Sequence, residues 1–241
     1  MKIQVVASSS SGNFYIIHGE REKLLLECGI PVKEIKKSLG FDFGNIAGCL
    51  ISHEHGDHSK AAKDIVKMGI DTYMSEGTKQ GISVPESHRI NVVGNRDQRD
   101  IGEEFTVLFL ETQHDCNEPL GFVTLHKPTE KKILFVTDSY YFKFCVPGLT
   151  HIMIEANYSK EILDRNIETG RVHPGIRDRI VTSHFEIEHL KEFFQANDLS
   201  KLEKILLIHL SNDNSDEAKF KEAIEVVTCK PTWIAGPGLM I

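Results

Sequence analysis

No two cysteines in this chain form a CxxC pair, and the five present, Cys28, Cys49, Cys116, Cys145 and Cys229, are scattered and odd in number. That pattern excludes a disulfide framework and a zinc ribbon, and it fits a reducing cytosol, so a cytoplasmic location is expected. No stretch approaches the roughly 20 apolar residues that span a bilayer, and no membrane partner is expected. The N-terminus lacks the basic cluster and apolar length of a signal peptide: one Lys precedes a short Val5-Val6-Ala7 run that stops at Ser8-Ser9-Ser10-Ser11. Low-complexity segments are missing too. Positive charge is in deficit, and the formal charge of −7 argues against a broad nonspecific nucleic-acid coat.

What is present is a folded α/β chain. At 241 residues, 40% hydrophobic and 26% charged, it can bury a sizeable core, and one domain with two similar halves, about 1–120 and 121–241, is expected. Strand patterns fall at Ile3–Ala7, Tyr15–Ile17, Leu24–Leu26 and Gly48–Ser52, then at Phe105–Leu110, Phe122–His126, Ile133–Thr137, Ile152–Glu155, Lys204–Ile208 and Trp233–Ala235. Helical patterns fall at Ser59–Met68, where Ala62, Ile65 and Val66 share one face, and at Lys160–Glu168, Ile187–Ala196 and Asp216–Val227. Strands followed by helices in each half imply sheets packed face to face with helices outside, a four-layered αβ/βα sandwich. Periodicity does not choose that architecture over other α/β arrangements; the motifs have to.

The segment Ile51-Ser52-His53-Glu54-His55-Gly56-Asp57-His58 follows an apolar strand, precedes a helix, and puts three imidazoles and Asp57 within six residues. Packing does not explain such density. In a loop, His53 and His55 can face one ion while the turn at Gly56 redirects Asp57 and His58 toward another. Neutral imidazoles and carboxylates suit zinc or manganese first, and iron as well. Carboxylates that bound metal would neutralise are counted in the −7, so local charge outweighs the total.

This stretch resembles the HxHxDH signature of the metallo-β-lactamase superfamily, and the likeness runs nearly the full chain. It implies further ligands at later strand ends, which occur in order: His114 in Glu111-Thr112-Gln113-His114-Asp115, Asp138 in Phe135-Val136-Thr137-Asp138-Ser139, and His209 in Leu206-Leu207-Ile208-His209-Leu210. Carried over residue by residue, the resemblance implies the metallo-β-lactamase sandwich and two divalent ions. His53, His55 and His114 fall on one ion, Asp57, His58 and His209 on the other, with Asp138 bridging. Glu27 stands where the family usually has Asp.

Two such ions, about 3.5–4 Å apart, activate a bridging water, so the implied nucleophile is a bridging hydroxide oriented by Asp57. A separate proton donor is then needed for the leaving group. Ile154-Glu155-Ala156-Asn157 and Thr182-Ser183-His184-Phe185-Glu186 resemble the Glu and His segments of the transfer-RNA 3′-processing ribonuclease branch, which implies Glu155 holding His184 protonated as that donor. Several segments together resemble the bacterial WalJ/YycJ-type branch, associated with DNA exonuclease activity. These are Ala7 through Asn13, His114-Asp115 followed by Pro119-Leu120-Gly121-Phe122, Glu155-Ala156-Asn157-Tyr158, and His209 through Asn214, with Ser9 and Ser183 where glycine is usual. The Ser8–Asn13 loop reads equally as a phosphate-cradling nest or as a tight turn. His18, His126, His151, His173 and His189 read as surface or packing residues.

The expected function is a binuclear metal-dependent phosphodiesterase or nuclease, with nucleic acid as partner, DNA favoured over RNA, or a small phosphodiester as substrate. Arg165, Arg171, Arg177 and Arg179 read either as phosphate contacts or as a solvated basic face. Two other readings stay open: a small-molecule hydrolase of the same fold acting on a cyclic nucleotide, lactone or thioester, and a catalytically silent nucleic-acid-binding module.

Overall fold

A computed structural model describes all 241 residues. In chain order the strands are β1 (Lys2–Ser9), β2 (Gly12–His18), β3 (Lys23–Leu26), β4 (Ile46–Leu50), β5 (Thr72–Met74), β6 (Ile90–Val92), β7 (Gln98–Ile101), β8 (Phe105–Glu111), β9 (Leu120–His126), β10 (Lys131–Val136), β11 (His151–Glu155), β12 (Lys204–Ile208) and β13 (Thr232–Ile234). The α-helices are α1 (Val32–Ser38), α2 (Gly56–Ser59), α3 (Ala62–Lys67), α4 (Glu76–Gly81), α5 (Lys160–Glu168), α6 (Pro174–Ser183), α7 (Ile187–Ala196) and α8 (Glu217–Thr228). The chain divides into two compact units: Met1–Glu111 with Cys116–Lys131 and Ala235–Ile241, and Thr112–Asp115 with Lys132–Ile234.

In the first unit, β1 to β6 lie side by side in sequence order. β1, β2 and β3 are antiparallel, and β3 through β6 run parallel. Beneath them Phe14, Ile16, Leu25, Ile35, Ile51, Ala62, Ile65 and Met74 form a buried core to which α1 and α3 contribute Ile35 and Ile65. β7, β8 and β9 form an antiparallel ladder. The C-terminal tail closes β1: Ile3 and Ile241 exchange backbone hydrogen bonds at 2.9 and 3.0 Å, so the strand's edge is not left open.

The second unit carries a parallel ladder in the order β10, β11, β12, β13. β11 (HIMIE) is buried along its whole length and β12 (KILLI) beyond its first residue, as expected for parallel strands covered on both faces. α7 buries Ile187, Leu190, Phe193 and Phe194, and α8, which contacts it, buries Phe220 and Ile224.

Most expected elements are found, α5, α7 and β12 with the expected bounds. The helix expected over Ser59–Met68 is instead two short helices, α2 and α3. Ala61 donates its N–H to the Cys28 carbonyl at 2.9 Å, and that tertiary bond takes the chain out of the helical ladder. The carboxyl ends of parallel strands hold the chemistry. His53 follows β4, Asp138 follows β10, Glu155 ends β11 and His209 follows β12, the position at which open α/β sheets present their functional loops.

Candidate metal centre

In the first unit the HxHxDH loop is held from below by the β3 exit. Cys28 N–H donates to the His58 carbonyl at 2.8 Å. Gly29 passes so close beneath Asp57 that a Cβ there would lie 2.7 Å from the His58 nitrogen and nearer still to the Asp57 carbonyl. Glu27, at φ 64° in the left-handed region, buries its carboxylate completely. Its two oxygens accept the Ser52 N–H at 3.3 and 3.4 Å, and one lies 3.5 Å from His58 Nδ1. Burial raises the Glu27 carboxyl above its ordinary value, against the lowering effect of His58 and Ser52. Glu27 therefore stands behind His58.

The imidazoles of this loop cluster, with ring centroids 4.7 Å apart for His53 and His55 and 4.2 Å for His53 and His58. His53 Nδ1 lies 2.9 Å from Ser52 Oγ, and His58 Nε2 lies 3.3 Å from Asp57 Oδ2. Asn13, buried at the start of β2, places its amide 3.2 Å from His58 Nε2 and donates to the Asp57 carbonyl at 3.3 Å. The Ser8–Asn13 segment is thus the tight turn of the β1–β2 hairpin, with Ser9 paired to Gly12, and its contribution to the loop comes through Asn13.

The second unit gathers His114, Asp138, Glu155, His184 and His209. His114 Nδ1 lies 2.8 Å from the Ser183 carbonyl, an acceptor only, so Nδ1 carries the proton and Nε2 keeps the lone pair. Burial lowers the His114 pKa and outweighs the neighbouring carboxylates, favouring the neutral, ligating form. Asp138 (φ 43°) and His209 (φ 52°) both sit in the left-handed region, a strained backbone for non-glycine residues and one that recurs at functional sites. Asp138 has its two carboxylate oxygens 3.6 Å from His114 Nε2 and 3.5 Å from His209 Nε2. Asn157 donates to the His209 carbonyl at 2.9 Å and fixes that strand end.

Glu155 is buried and fully committed. One oxygen lies 2.7 Å from His184 Nδ1 and 3.4 Å from His209 Nδ1, while the other accepts the N–H groups of Ser139 and Phe185 at 3.0 and 3.1 Å. Burial pulls the His184 pKa down, but the Glu155 carboxylate more than offsets it, so His184 stands above the ordinary histidine value. Ligand-type atoms of Asp138, Glu155, His184 and His209 all lie within 4.8 Å of one another. Of these, Asp138 and His209, together with His114, whose tautomer the Ser183 carbonyl fixes, are donors of the kind that suit a divalent transition metal.

Three of the arginines considered as phosphate contacts are ion-paired. Arg171 meets Asp213 at 2.7 Å, Arg177 meets Asp164 at 2.9 Å, and Arg179 meets Asp115 at 2.9 Å. Asp115 in turn lies 3.3 Å from His114 Nε2. The remaining histidines stand outside these clusters. His18 pairs with Gln4, His126 with Thr129 and Glu104, His151 with Thr150, and His173 caps α6, while His189 is exposed on α7. Asn13, Ser139 and Asn157 had no role assigned from sequence; each acts through hydrogen bonds to residues remote in the chain.

The fold is the α/β fold of the metallo-β-lactamases. The metallo-β-lactamase fold protein YhfI of Bacillus subtilis superposes with a TM-score of 0.75 at 15% identity, covering 100% of this chain and 98% of that one. The short form of human tRNase Z does so at 0.64 and 16%, covering 100% and 98%. Among characterised sequences, exodeoxyribonuclease YycJ of Bacillus anthracis is 26% identical over 235 residues, 89% of this chain and 84% of the relative. Exodeoxyribonuclease WalJ of Streptococcus pneumoniae serotype 2 is 27% identical over 234 residues, 89% and 83%. The chain thus resembles the WalJ/YycJ-type branch. No family model matches it.

Proposed function

We propose that this chain is a metal-dependent phosphodiesterase acting as a DNA exonuclease, and that its two units are halves of one metallo-β-lactamase domain. Two divalent ions, zinc or manganese, are assigned to His53, His55, Asp57, His58, His114, Asp138 and His209. The similarity to two exodeoxyribonucleases supports DNA over RNA as substrate. The five cysteines, none in a disulfide, support a cytoplasmic location, and no helix is long and apolar enough to cross a membrane.

The observation that carries the reading is the 2.7 Å contact between His184 Nδ1 and Glu155. Bound metal would supply water activation and neutralise phosphate charge. The chain's own residues do the rest. Glu155 fixes the His184 ring through Nδ1 and favours its protonated form, so Nε2–H is the proton available to a departing alkoxide. Such a donor matters for phosphodiesters of sugar alcohols, whose leaving groups are poor. Asp57, beside His58, is assigned the role of orienting the attacking water.

The test is cleavage of bis-p-nitrophenyl phosphate and of end-labelled single- and double-stranded DNA by chelated protein reloaded with manganese or zinc, beside Asp57→Ala. Metal-dependent DNA cleavage lost in the variant is expected. Cleavage of the small ester alone would move the substrate to a small phosphodiester, and inertness toward both would contradict a phosphodiesterase.

A further inference from the structure

The second unit holds a cavity of about 500 Å³ with largely aromatic walls: Tyr140, Tyr141 and Phe144 from the segment after Asp138, and Phe185 and Phe193 opposite, with Lys143 among them. Tyr141 is 55% exposed and Tyr140 39%, unusual for side chains whose burial is favourable. The floor beneath them is stiff. Phe142 packs against Phe144 and edge-on against Phe193, with centroids 5.4 and 6.1 Å apart.

The cavity is built onto the proton donor. Glu155, which grips His184, also accepts the N–H of Ser139 and of Phe185, so one buried carboxylate ties down both walls. Ser139 Oγ donates to the Tyr141 carbonyl at 2.7 Å, fixing the exposed tyrosine's backbone, and accepts the Gln113 N–H next to His114. Phe185 is the residue after His184. The proton donor and one wall of the cavity thus share a single segment, held by the same buried carboxylate.

We infer that this cavity is a nucleobase-binding subsite, taking an unpaired base of the strand being cleaved by stacking on Tyr141. The inference rests on the phosphodiesterase reading above. A volume of this size lies in the range of small-ligand sites and holds a nucleoside. Aromatic platforms accept any base because every base has a π-face. A base still paired in duplex cannot enter, so the site selects single-stranded or frayed ends.

The test separates base binding from cleavage. Binding of a short oligothymidylate and of an equally long abasic phosphodiester chain is measured by fluorescence anisotropy in chelator, for wild type, Tyr141→Ala and Tyr141→Phe. Wild type and Tyr141→Phe should prefer the base-bearing chain by about tenfold, within the range that stacking one base supplies, and Tyr141→Ala should lose that preference. With metal restored, Tyr141→Ala should lose about tenfold in kcat/KM on the oligonucleotide, and Tyr141→Phe should retain it. Equal wild-type affinity for both chains, or an undiminished preference in Tyr141→Ala, overturns the subsite. A base preference that depends on Tyr141 in a protein that cleaves neither DNA nor bis-p-nitrophenyl phosphate would support the subsite while overturning the phosphodiesterase reading.

Discussion

Replacing Gly29 by alanine should damage the first unit's ligand loop without touching a ligand. The added Cβ would stand 2.7 Å from the His58 nitrogen and closer to the Asp57 carbonyl, whereas ordinary contact begins at 3.4 Å. The obstacle is backbone, not a side chain that can rotate, so the Asp57–His58 segment must retreat by more than about 1 Å. That retreat stretches the 2.8 Å bond from Cys28 N–H to the His58 carbonyl and the 2.9 Å bond from Ala61 N–H to the Cys28 carbonyl. Overpacking of this kind costs about 1–3 kcal/mol, and weakening one or two buried hydrogen bonds adds about 1 kcal/mol each. Urea denaturation in chelator should therefore show a lower midpoint with an unchanged slope, by about 2–4 kcal/mol in free energy. Metal affinity should fall as well, because Asp57 and His58 move together. A Gly29→Ala protein with the wild-type midpoint and wild-type metal affinity would refute the close-packed arrangement of this loop.

His184→Ala should slow DNA cleavage by about 10²–10⁴, the usual worth of a general acid, yet slow bis-p-nitrophenyl phosphate far less, because p-nitrophenolate departs without a proton; equal losses on both substrates in steady-state assays would refute the donor role. Glu155→Gln should reproduce that split and also move the alkaline limb of the pH–rate profile to lower pH, since the donor must be protonated and the carboxylate is what raises His184. Glu104 is buried, and although burial raises its carboxyl, the backbone N–H groups of Glu22, Arg21 and Glu20 outweigh that and hold it below the ordinary value. Its folded pKa is depressed, so its stabilisation is present above the ordinary glutamate range and is lost as pH falls through the folded value. Glu104→Gln should accordingly cost about 1–3 kcal/mol at neutral pH, with the gap to wild type closing in acid, as read by thermal melts across pH.

Much of the site was legible because metal ligation concentrates rare residue types at short spacing. Three imidazoles and Asp57 in one loop have no packing rationale, whereas Asp138 and His209 were implied by the resemblance to the metallo-β-lactamase superfamily and follow buried apolar strands. The supporting polar groups were not legible in the same way. Asn13 reaches His58 across 45 positions, and Ser139 reaches Glu155 across 16, so no local pattern marks them. Short elements were missed for a related reason. β6 (INV) and β7 (QRDI) have too few buried positions to show a period, and the break between α2 and α3 depends on a bond to Cys28 that helix propensity cannot reveal. α6 was missed despite a visible signal, a proline at its first turn after His173.

The proposed assignment of two divalent ions to His53, His55, Asp57, His58, His114, Asp138 and His209 is tested most directly by elemental analysis of chelated and zinc-reconstituted protein. The account predicts two zinc ions per chain in wild type, one in His53→Ala and one in His209→Ala, and fewer than two in Asp138→Ala. A wild-type chain that retains no zinc, or an Asp138→Ala chain that still holds two, would contradict it.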